Sequence, residues 1–229
     1  MLSYSSCSDF YKCPYLFQLH DEVNVVTDAM KLGANIDTML NVLMVKHIKD
    51  PKVKMDAIVR LGISDMLMKM ADNGDLNQMF EIPRMVKEWY IDFVQSGLEV
   101  LDVQKHFIID ELDYHGYIDA VLWDVKEKIV VENKTTSRFY DKYMASKKES
   151  YQAVGYAIAE GTNKVRYQFF NTKNMNEYAP YSKVVTPEEF CEFEEWVKFV
   201  RDNQHCIVKN REYCSLNRCL GKDLCNEAS

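Results

Sequence analysis

Apolar positions in the first hundred residues follow a helical spacing. Leu32 and Ile36 begin a series of apolar residues that recurs every three or four positions, which places the series on one face of a helix. Pro51 and the cluster Asn73-Gly74-Asp75 interrupt this series, because proline and glycine break helices. The spacing therefore predicts a region of separate helices over residues 31–100.

Beyond residue 100 the apolar positions alternate, and β-branched and aromatic residues become frequent, as is typical of strands. A helix is also predicted from the cap Thr186-Pro187-Glu188-Glu189 to about residue 203. The pattern predicts a single α/β domain over residues 1–229 that carries a helical insertion and a cysteine-rich C-terminal tail. The predicted elements between these points are strands at 103–109, 117–123 and 129–134, a helix at 143–160 and a strand at 164–170.

Composition limits the class of protein. With 229 residues and 47% apolar residues the chain has enough apolar surface for a core. No stretch approaches the roughly 20 apolar residues of a membrane span, and the N-terminus lacks the pattern of a signal peptide. We therefore expect a soluble cytoplasmic protein with no membrane partner.

A net charge of -7 argues against a protein that coats nucleic acid through a broadly basic surface. Any contact with nucleic acid is therefore expected to be local. Two basic groups are candidates for such a contact, although each is equally well explained as a solvated charged face. The groups are Arg138, Lys142, Lys147 and Lys148 in the middle of the chain, and Arg211, Arg218 and Lys222 near its end.

A group of charged residues between Gly116 and Ser137 carries the chemistry. A hairpin that turns near 125–128 sets Asp119 opposite Glu132, and Lys134 leaves the same face of the strand as Glu132. Two carboxylates can hold Mg²⁺ or Mn²⁺, which activates water, while an ammonium group stabilises the charged transition state of phosphodiester hydrolysis. Alternating charges on an exposed strand are the competing interpretation, but an apolar run precedes Glu132.

The order G-x-x-D, then an apolar run that ends in E-x-K-T, resembles motifs of the RecB-like PD-(D/E)XK nucleases. Downstream, Gln152 and Tyr156 match the Q-x-x-x-Y motif of that family and share one face of a helix. The resemblance implies a restriction-endonuclease-like core, with a central mixed sheet flanked by helices and the catalytic core at residues 100–175. It also implies that Asp119 and Glu132 bind the metal ion, that Lys134 is the catalytic lysine, and that Gln152 and Tyr156 support the site.

The N-terminal segment also resembles the opening of this family, in which a serine-led helix ends in Cys-Pro, here Cys13-Pro14. The family then has a glycine and, four residues later, a histidine that binds metal. In this chain Gly33 is followed by Asp37 at that position, which is either a third metal ligand or an acid on the helix surface. His20 and His47 are other candidates to replace the missing histidine, although a lone histidine more often lies on the surface or makes a structural hydrogen bond.

The chain has seven cysteines, and a disulfide framework is a poor explanation for a protein inside the cell. One cysteine near the N-terminus and three near the C-terminus resemble the iron–sulfur nucleases of this superfamily, which include the CRISPR-adaptation nucleases and AddB. The resemblance implies a [4Fe–4S] cluster that joins Cys13 to residues 205–229, with zinc as the alternative and Cys206 as a substitute ligand. Cys7 and Cys191 are interpreted as structural. The implied cluster ligands are Cys13, Cys214, Cys219 and Cys225.

The expected function is metal-dependent hydrolysis of DNA, as an exonuclease on single-stranded ends. The resemblance implies a setting in recombination, repair, CRISPR adaptation or phage DNA metabolism, in the cytoplasm of a bacterium, an archaeon or a virus-infected cell, with other DNA-processing proteins as partners. The alternative is a non-catalytic DNA-binding or assembly module on the same fold, with a structural zinc.

Overall fold

A computed structural model describes residues 1–20, 27–49, 78–137, 150–173, 177–206 and 208–210. Within these residues the chain forms helices α1 (Tyr4–Lys12), α2 (Pro14–Gln18), α3 (Asp28–Lys49), α4 (Gln78–Ser96), α5 (Gln152–Glu160) and α6 (Pro187–Asn203). The strands are β1 (Glu99–Ile109), β2 (Tyr114–Asp124), β3 (Glu127–Thr136), β4 (Lys164–Asn171) and β5 (Tyr178–Val184). A short 3₁₀ helix, Asp110–Leu112, joins β1 to β2.

The strands form one mixed sheet in the order β1-β2-β3-β4-β5. The β2–β3 and β4–β5 pairs are antiparallel, whereas β3 and β4 are parallel and are connected through α5. A parallel pair needs such a crossover, because a tight turn cannot return the chain to the same end of the sheet. The prediction of a mixed sheet flanked by helices is therefore confirmed.

Strand β5 is absent from the sequence prediction. It pairs with β4 from Tyr178 to Val184, yet all of its residues are at least partly exposed and Pro180 lies within it. Such a strand shows no apolar alternation, and proline is tolerated in a strand at a sheet edge. Its pairing with β4 depends on backbone hydrogen bonds, and these cannot be predicted from the pattern of apolar side chains.

The described chain divides into two compact units, so the single domain over residues 1–229 stays a prediction. The larger unit comprises Asp28–His106 and Tyr117–Thr186, and its apolar core lies between α3, α4 and the sheet. Its largest buried side chains include Trp89 and Phe93, whose rings stack 5.6 Å apart. The indole N–H of Trp89 donates to Gln168 Oε1 at 2.8 Å, so the buried ring keeps a polar partner.

At the end of α5 the carboxylate of Glu160 lies buried in the larger unit and forms ion pairs with Lys105 and Lys128. Burial alone would raise the pKa of Glu160, but the two lysines outweigh it, and the pKa lies below its ordinary value of 4.5. Helix α5 then stops at Gly161, which adopts the left-handed conformation that glycine tolerates best.

The smaller unit comprises Met1–Thr27, Phe107–Gly116 and Pro187–Ser229. Helix α1 begins with a capping box between Ser3 and Ser6. It ends at Cys13, where Pro14 begins α2, as the resemblance implied. Aromatic side chains join α1 to α6, and the ring of Tyr11 stacks on Trp196 with centroids 5.9 Å apart.

Several predictions from the sequence concern residues outside the described ranges. They are the helices between 50 and 77, both basic groups, and the cysteines Cys214, Cys219 and Cys225. The predicted helix 143–160 is described only from Gln152. In the described part of the chain no helix combines the length and the apolar character needed to cross a membrane.

Candidate active site

The β2–β3 hairpin aligns the acidic residues that the sequence singled out. It turns at 125–126 between Asp124 and Glu127, and the register pairs Ala120 with Val131. One residue further along, Asp119 Oδ2 accepts a hydrogen bond of 2.6 Å from the backbone N–H of Asn133. The side chain of Asp119 is thus fixed beside the strand that carries the E-x-K sequence.

Glu132 follows the apolar run of β3 and is only 1% exposed. Its Oε1 contacts Lys134 Nζ, as expected for residues two apart on one strand. Its Oε2 is buried and, within the described residues, accepts no hydrogen bond. Leaving a buried carboxylate oxygen without a donor is costly, so this atom marks a place where a positive charge would be stabilising.

Gln152 and Tyr156 lie one turn apart on α5, which packs on β3. Lys134 Nζ donates to Gln152 Oε1 at 2.7 Å, and Gln152 Nε2 donates to the Tyr156 hydroxyl at 2.9 Å. A continuous chain of contacts therefore runs from Glu132 through Lys134 and Gln152 to Tyr156. The two residues of the Q-x-x-x-Y sequence orient the lysine of the E-x-K sequence.

Asp37 reaches the same place from α3. This helix packs closely on β3 at Gly33, where a Cβ atom would lie 2.9 Å from Thr135 Oγ1. One turn later, Asp37 Oδ1 accepts a hydrogen bond of 3.1 Å from Asn133 Nδ2. The glycine that the sequence singled out therefore allows the close approach that brings Asp37 to the hairpin.

Three amide residues of the site were missed from the sequence: Asn41, Gln104 and Asn133. Their side-chain N–H groups all donate to the carboxylate of Asp37. Asn133 could have been noticed because it separates Glu132 from Lys134. Nothing in the sequence singles out Gln104, which lies on a strand that was predicted without any role in the site.

The three acids, Lys134 and Gln152 line one open cavity of about 500 Å³. Apart from Asp37, its wall on α3 is formed by small or apolar side chains, and Lys134 is the cation among the described residues that line it. The lining residues are Met30, Gly33, Ala34, Ile36, Asp37, Asp119, Glu132, Asn133, Lys134, Thr135 and Gln152. The cavity is therefore acidic, with three carboxylates and one ammonium group.

The electrostatics of the site reflect this excess of negative charge. Burial raises the pKa of Asp119 well above its ordinary value, and the nearby carboxylates of Glu132 and Asp37 raise it further. Burial also raises the pKa of Asp37, against the lowering effect of its asparagine partners. The pKa of the Tyr156 hydroxyl is raised by burial, by the charges of Glu132 and Asp119, and by a hydrogen bond with the side chain of Glu132, against the lowering effect of Gln152.

Within the described residues no group of three or more histidine, cysteine or acidic side chains is arranged so that it could hold a metal ion. The carboxylates nevertheless suit a hard cation, since Mg²⁺ commonly uses one or two protein carboxylates and keeps several water ligands. His20 was a candidate to replace the metal-binding histidine of the family. It lies in the smaller unit, where its Nδ1 is 2.9 Å from Asp9 Oδ2. The side chain of His47 lies outside the described residues.

Among the cysteines, Cys13 is buried in the smaller unit, where its Sγ accepts the N–H of Asn210 at 3.3 Å. Cys206 is partly exposed. Cys7 is buried, and burial raises its pKa to about 12, which suits a structural thiol. The interpretation of Cys191 as a buried structural residue is wrong, because its side chain is exposed on α6.

Comparison with known proteins yields one family match. The family model of the PD-(D/E)XK nuclease superfamily matches residues 1–226. A solved structure titled "Crystal structure of SSO0001" is 14% identical, with a TM-score of 0.39, and the alignment covers 91% of this chain and 92% of that one. No curated protein matches the chain at a significant level.

Proposed function

Since the chain belongs to the PD-(D/E)XK nuclease superfamily, we propose that it is a metal-dependent nuclease that hydrolyses phosphodiester bonds of DNA. The observation that carries this proposal is the buried Oε2 of Glu132, which lacks a hydrogen-bond donor among the described residues and lies in a cavity shared with Asp119 and Lys134. A divalent cation would compensate the negative charge of this oxygen and of the Asp119 carboxylate.

The donor set suits Mg²⁺ or Mn²⁺, because every candidate ligand is a carboxylate oxygen. Asp119 and Glu132 would hold the ion, and Asp37 would be the third ligand. When bound, the ion would activate a water molecule and offset charge on the scissile phosphate. Lys134 would stabilise the additional negative charge of the transition state through Nζ.

The remaining residues support this arrangement through hydrogen bonds. Gln152 accepts one N–H of Lys134 and so fixes the direction of the ammonium group. Tyr156 in turn accepts a hydrogen bond from the amide of Gln152, and its hydroxyl, whose pKa is raised above the ordinary value of 10, is protonated at neutral pH. A preorganised lysine costs no reorganisation when charge develops on the phosphate, which is how such a group lowers the barrier.

The finer assignments rest on the resemblance of the sequence motifs. We propose a RecB-like nuclease that acts as an exonuclease on single-stranded DNA ends inside the cell, in repair, recombination, CRISPR adaptation or phage metabolism. We also propose a [4Fe–4S] cluster held by Cys13, Cys214, Cys219 and Cys225, with zinc as the alternative. The Cys13 thiol is available in the smaller unit for such a role, since its described partners are backbone groups.

The activity can be tested with end-labelled single- and double-stranded DNA in Mg²⁺ or Mn²⁺. Wild-type protein should degrade DNA, and Lys134→Gln should slow cleavage by roughly a hundredfold or more while leaving DNA binding in place. Asp124→Asn is a matched control, because Asp124 is exposed on β2 away from the cavity. Equal cleavage by wild type and Lys134→Gln would refute the catalytic role. DNA binding without cleavage by the wild type would support the non-catalytic module instead.

The cluster can be tested by analysis of iron, sulfide and zinc in protein purified without oxygen. A [4Fe–4S] cluster should give a brown protein with about four iron and four sulfide per chain, and Cys13→Ser should lower both. Cys191→Ser is the control, since this exposed cysteine is not among the implied ligands. A colourless protein with one zinc per chain would assign the cysteines to a zinc site.

A further inference from the structure

Strand β1 loses its regular alternation next to the candidate active site. Val100 is buried, and the next apolar residue that packs against the core is Val103, three positions along where two would be regular. Immediately after it, Gln104 has a φ of +52°, in the left-handed region that residues with a Cβ atom rarely adopt. The irregularity indicates a β-bulge, a feature that bends a strand and redirects a side chain.

The redirected side chain of Gln104 reaches Asp37. Its Nε2 donates to Asp37 Oδ2 at 3.1 Å, and Asn41 Nδ2 donates to the same oxygen at 3.3 Å. Asn133 Nδ2 donates to the other oxygen, Oδ1, at 3.1 Å. Amides from α3, β1 and β3 therefore hold one carboxylate from three directions.

The neutral character of these donors distinguishes Asp37 from Glu132. The carboxylate of Glu132 contacts Lys134, which cancels part of its charge. The amides around Asp37 fix the orientation of its carboxylate but leave its full charge, because an amide carries none. This is the environment expected for a group that must present a negative charge to a cation.

We propose that Gln104 is a positioning residue, which holds Asp37 in the orientation that binds the divalent cation. This inference rests on the proposed function. Gln104 is exposed, and a hydrogen bond at an exposed position adds little to the stability of the fold. Its backbone conformation is unfavourable, so the fold would be more stable with glycine there. Unfavourable conformations of this kind are concentrated at functional sites.

The decisive variant is Gln104→Gly, which relieves the backbone and removes the amide donor together. We expect its melting temperature without metal to rise and its affinity for Mn²⁺ to fall by about three- to tenfold, at or below the low end known for residues that orient metal ligands. Calorimetric titration of the full chain with Mn²⁺ measures the affinity without any nuclease assay. If Gln104 only stabilised the fold, its replacement would lower the melting temperature and the Mn²⁺ affinity together.

Val125→Gly is the matched control. Val125 has a φ of +41° and is 81% exposed at the tip of the β2–β3 hairpin, outside the cavity. Glycine there should raise the melting temperature in the same way and leave the affinity for Mn²⁺ unchanged. A loss of affinity in this control would mean that relief of the backbone, and not loss of the amide, weakens binding, which would overturn the proposal.

A double-mutant cycle tests whether Gln104 acts through Asp37. Asp37→Ala should weaken Mn²⁺ binding, and adding Gln104→Gly should then cause no further loss. An equal loss in both backgrounds would overturn the proposal, as would unchanged Mn²⁺ affinity in Gln104→Gly. If wild-type protein fails to bind Mn²⁺, the proposed function itself falls. If wild type binds Mn²⁺ and Asp37→Ala binds it equally well, only the inference about Gln104 falls.

Discussion

Replacing Asp119 with asparagine should have opposite effects on stability and on catalysis. The two side chains have the same shape, and the asparagine Oδ1 can still accept the N–H of Asn133 that Asp119 Oδ2 accepts at 2.6 Å. The substitution therefore changes mainly the charge. Burial, Glu132 and Asp37 all disfavour that charge and raise the pKa of Asp119 well above its ordinary value of 3.8.

The sign of the stability change follows from this raised pKa. Between the unfolded and the folded pKa the folded protein binds more protons, so wild-type stability falls as the pH rises through that interval. Asp119→Asn removes this disfavoured charge and also weakens the attraction between residue 119 and Lys134, so we expect a net gain of about 0.5–2 kcal/mol at pH 7, the usual range of a single stabilising substitution.

The assay is urea unfolding with EDTA, from pH 4.5 to pH 8, for wild type, Asp119→Asn and the control Asp124→Asn. The advantage of Asp119→Asn should shrink toward pH 4.5, whereas the control should stay within about 0.5 kcal/mol of wild type. Adding Mn²⁺ should stabilise wild type more than Asp119→Asn, and nuclease activity should fall about a hundredfold or more. A variant less stable than wild type at pH 7 in EDTA would refute the reasoning.

Two further substitutions test the fold around the site. Glu160→Gln should cost about 1–2 kcal/mol at pH 7, because it removes the charge that binds two lysines. Since the pKa of Glu160 is lowered, the wild-type advantage is complete above pH 4.5 and is lost as the pH falls through the folded pKa, so urea unfolding should show the two proteins converging in acid. Convergence at neutral pH would contradict this. Gly33→Val should cost about 2 kcal/mol, because its Cβ meets Thr135 Oγ1 at 2.9 Å, while Ala34→Val on the exposed side of α3 should cost clearly less. Equal thermal stability of the two valine variants would argue against close packing at Gly33.

Short-range parts of the candidate site could be predicted from the sequence. Glu132 and Lys134 contact each other because strand side chains alternate with a period of two. Gln152 and Tyr156 form a hydrogen bond because residues four apart share one face of a helix. In both cases local backbone geometry fixes the relation between the side chains, so the spacing in the sequence is sufficient.

The hairpin that places Asp119 beside β3 is also encoded locally. Two apolar runs, 120–122 and 129–131, are separated by mostly polar residues, which indicate where the chain turns, and the turn sets the register. The same reasoning predicted helix α6, which begins at Pro187, as the sequence Thr186-Pro187 predicts, and ends at Asn203. Elements with their own periodicity and clear boundaries were therefore found before any tertiary information was used.

The tertiary structure alone decided which distant residues complete the site. Asp37 is 96 positions from Asn133 and 67 from Gln104, and no local period relates such residues. Their meeting depends on how closely α3 packs on β3 and on a bulge in β1, which are outcomes of packing across the whole unit. Strand β5 was not predicted for a related reason. Its backbone pairs with β4, and its side chains show no apolar pattern that would reveal this pairing. A periodic pattern shows which face of a helix or strand is apolar. It does not show which other helix or strand packs against that face, because this depends on how all the elements fit together in the core.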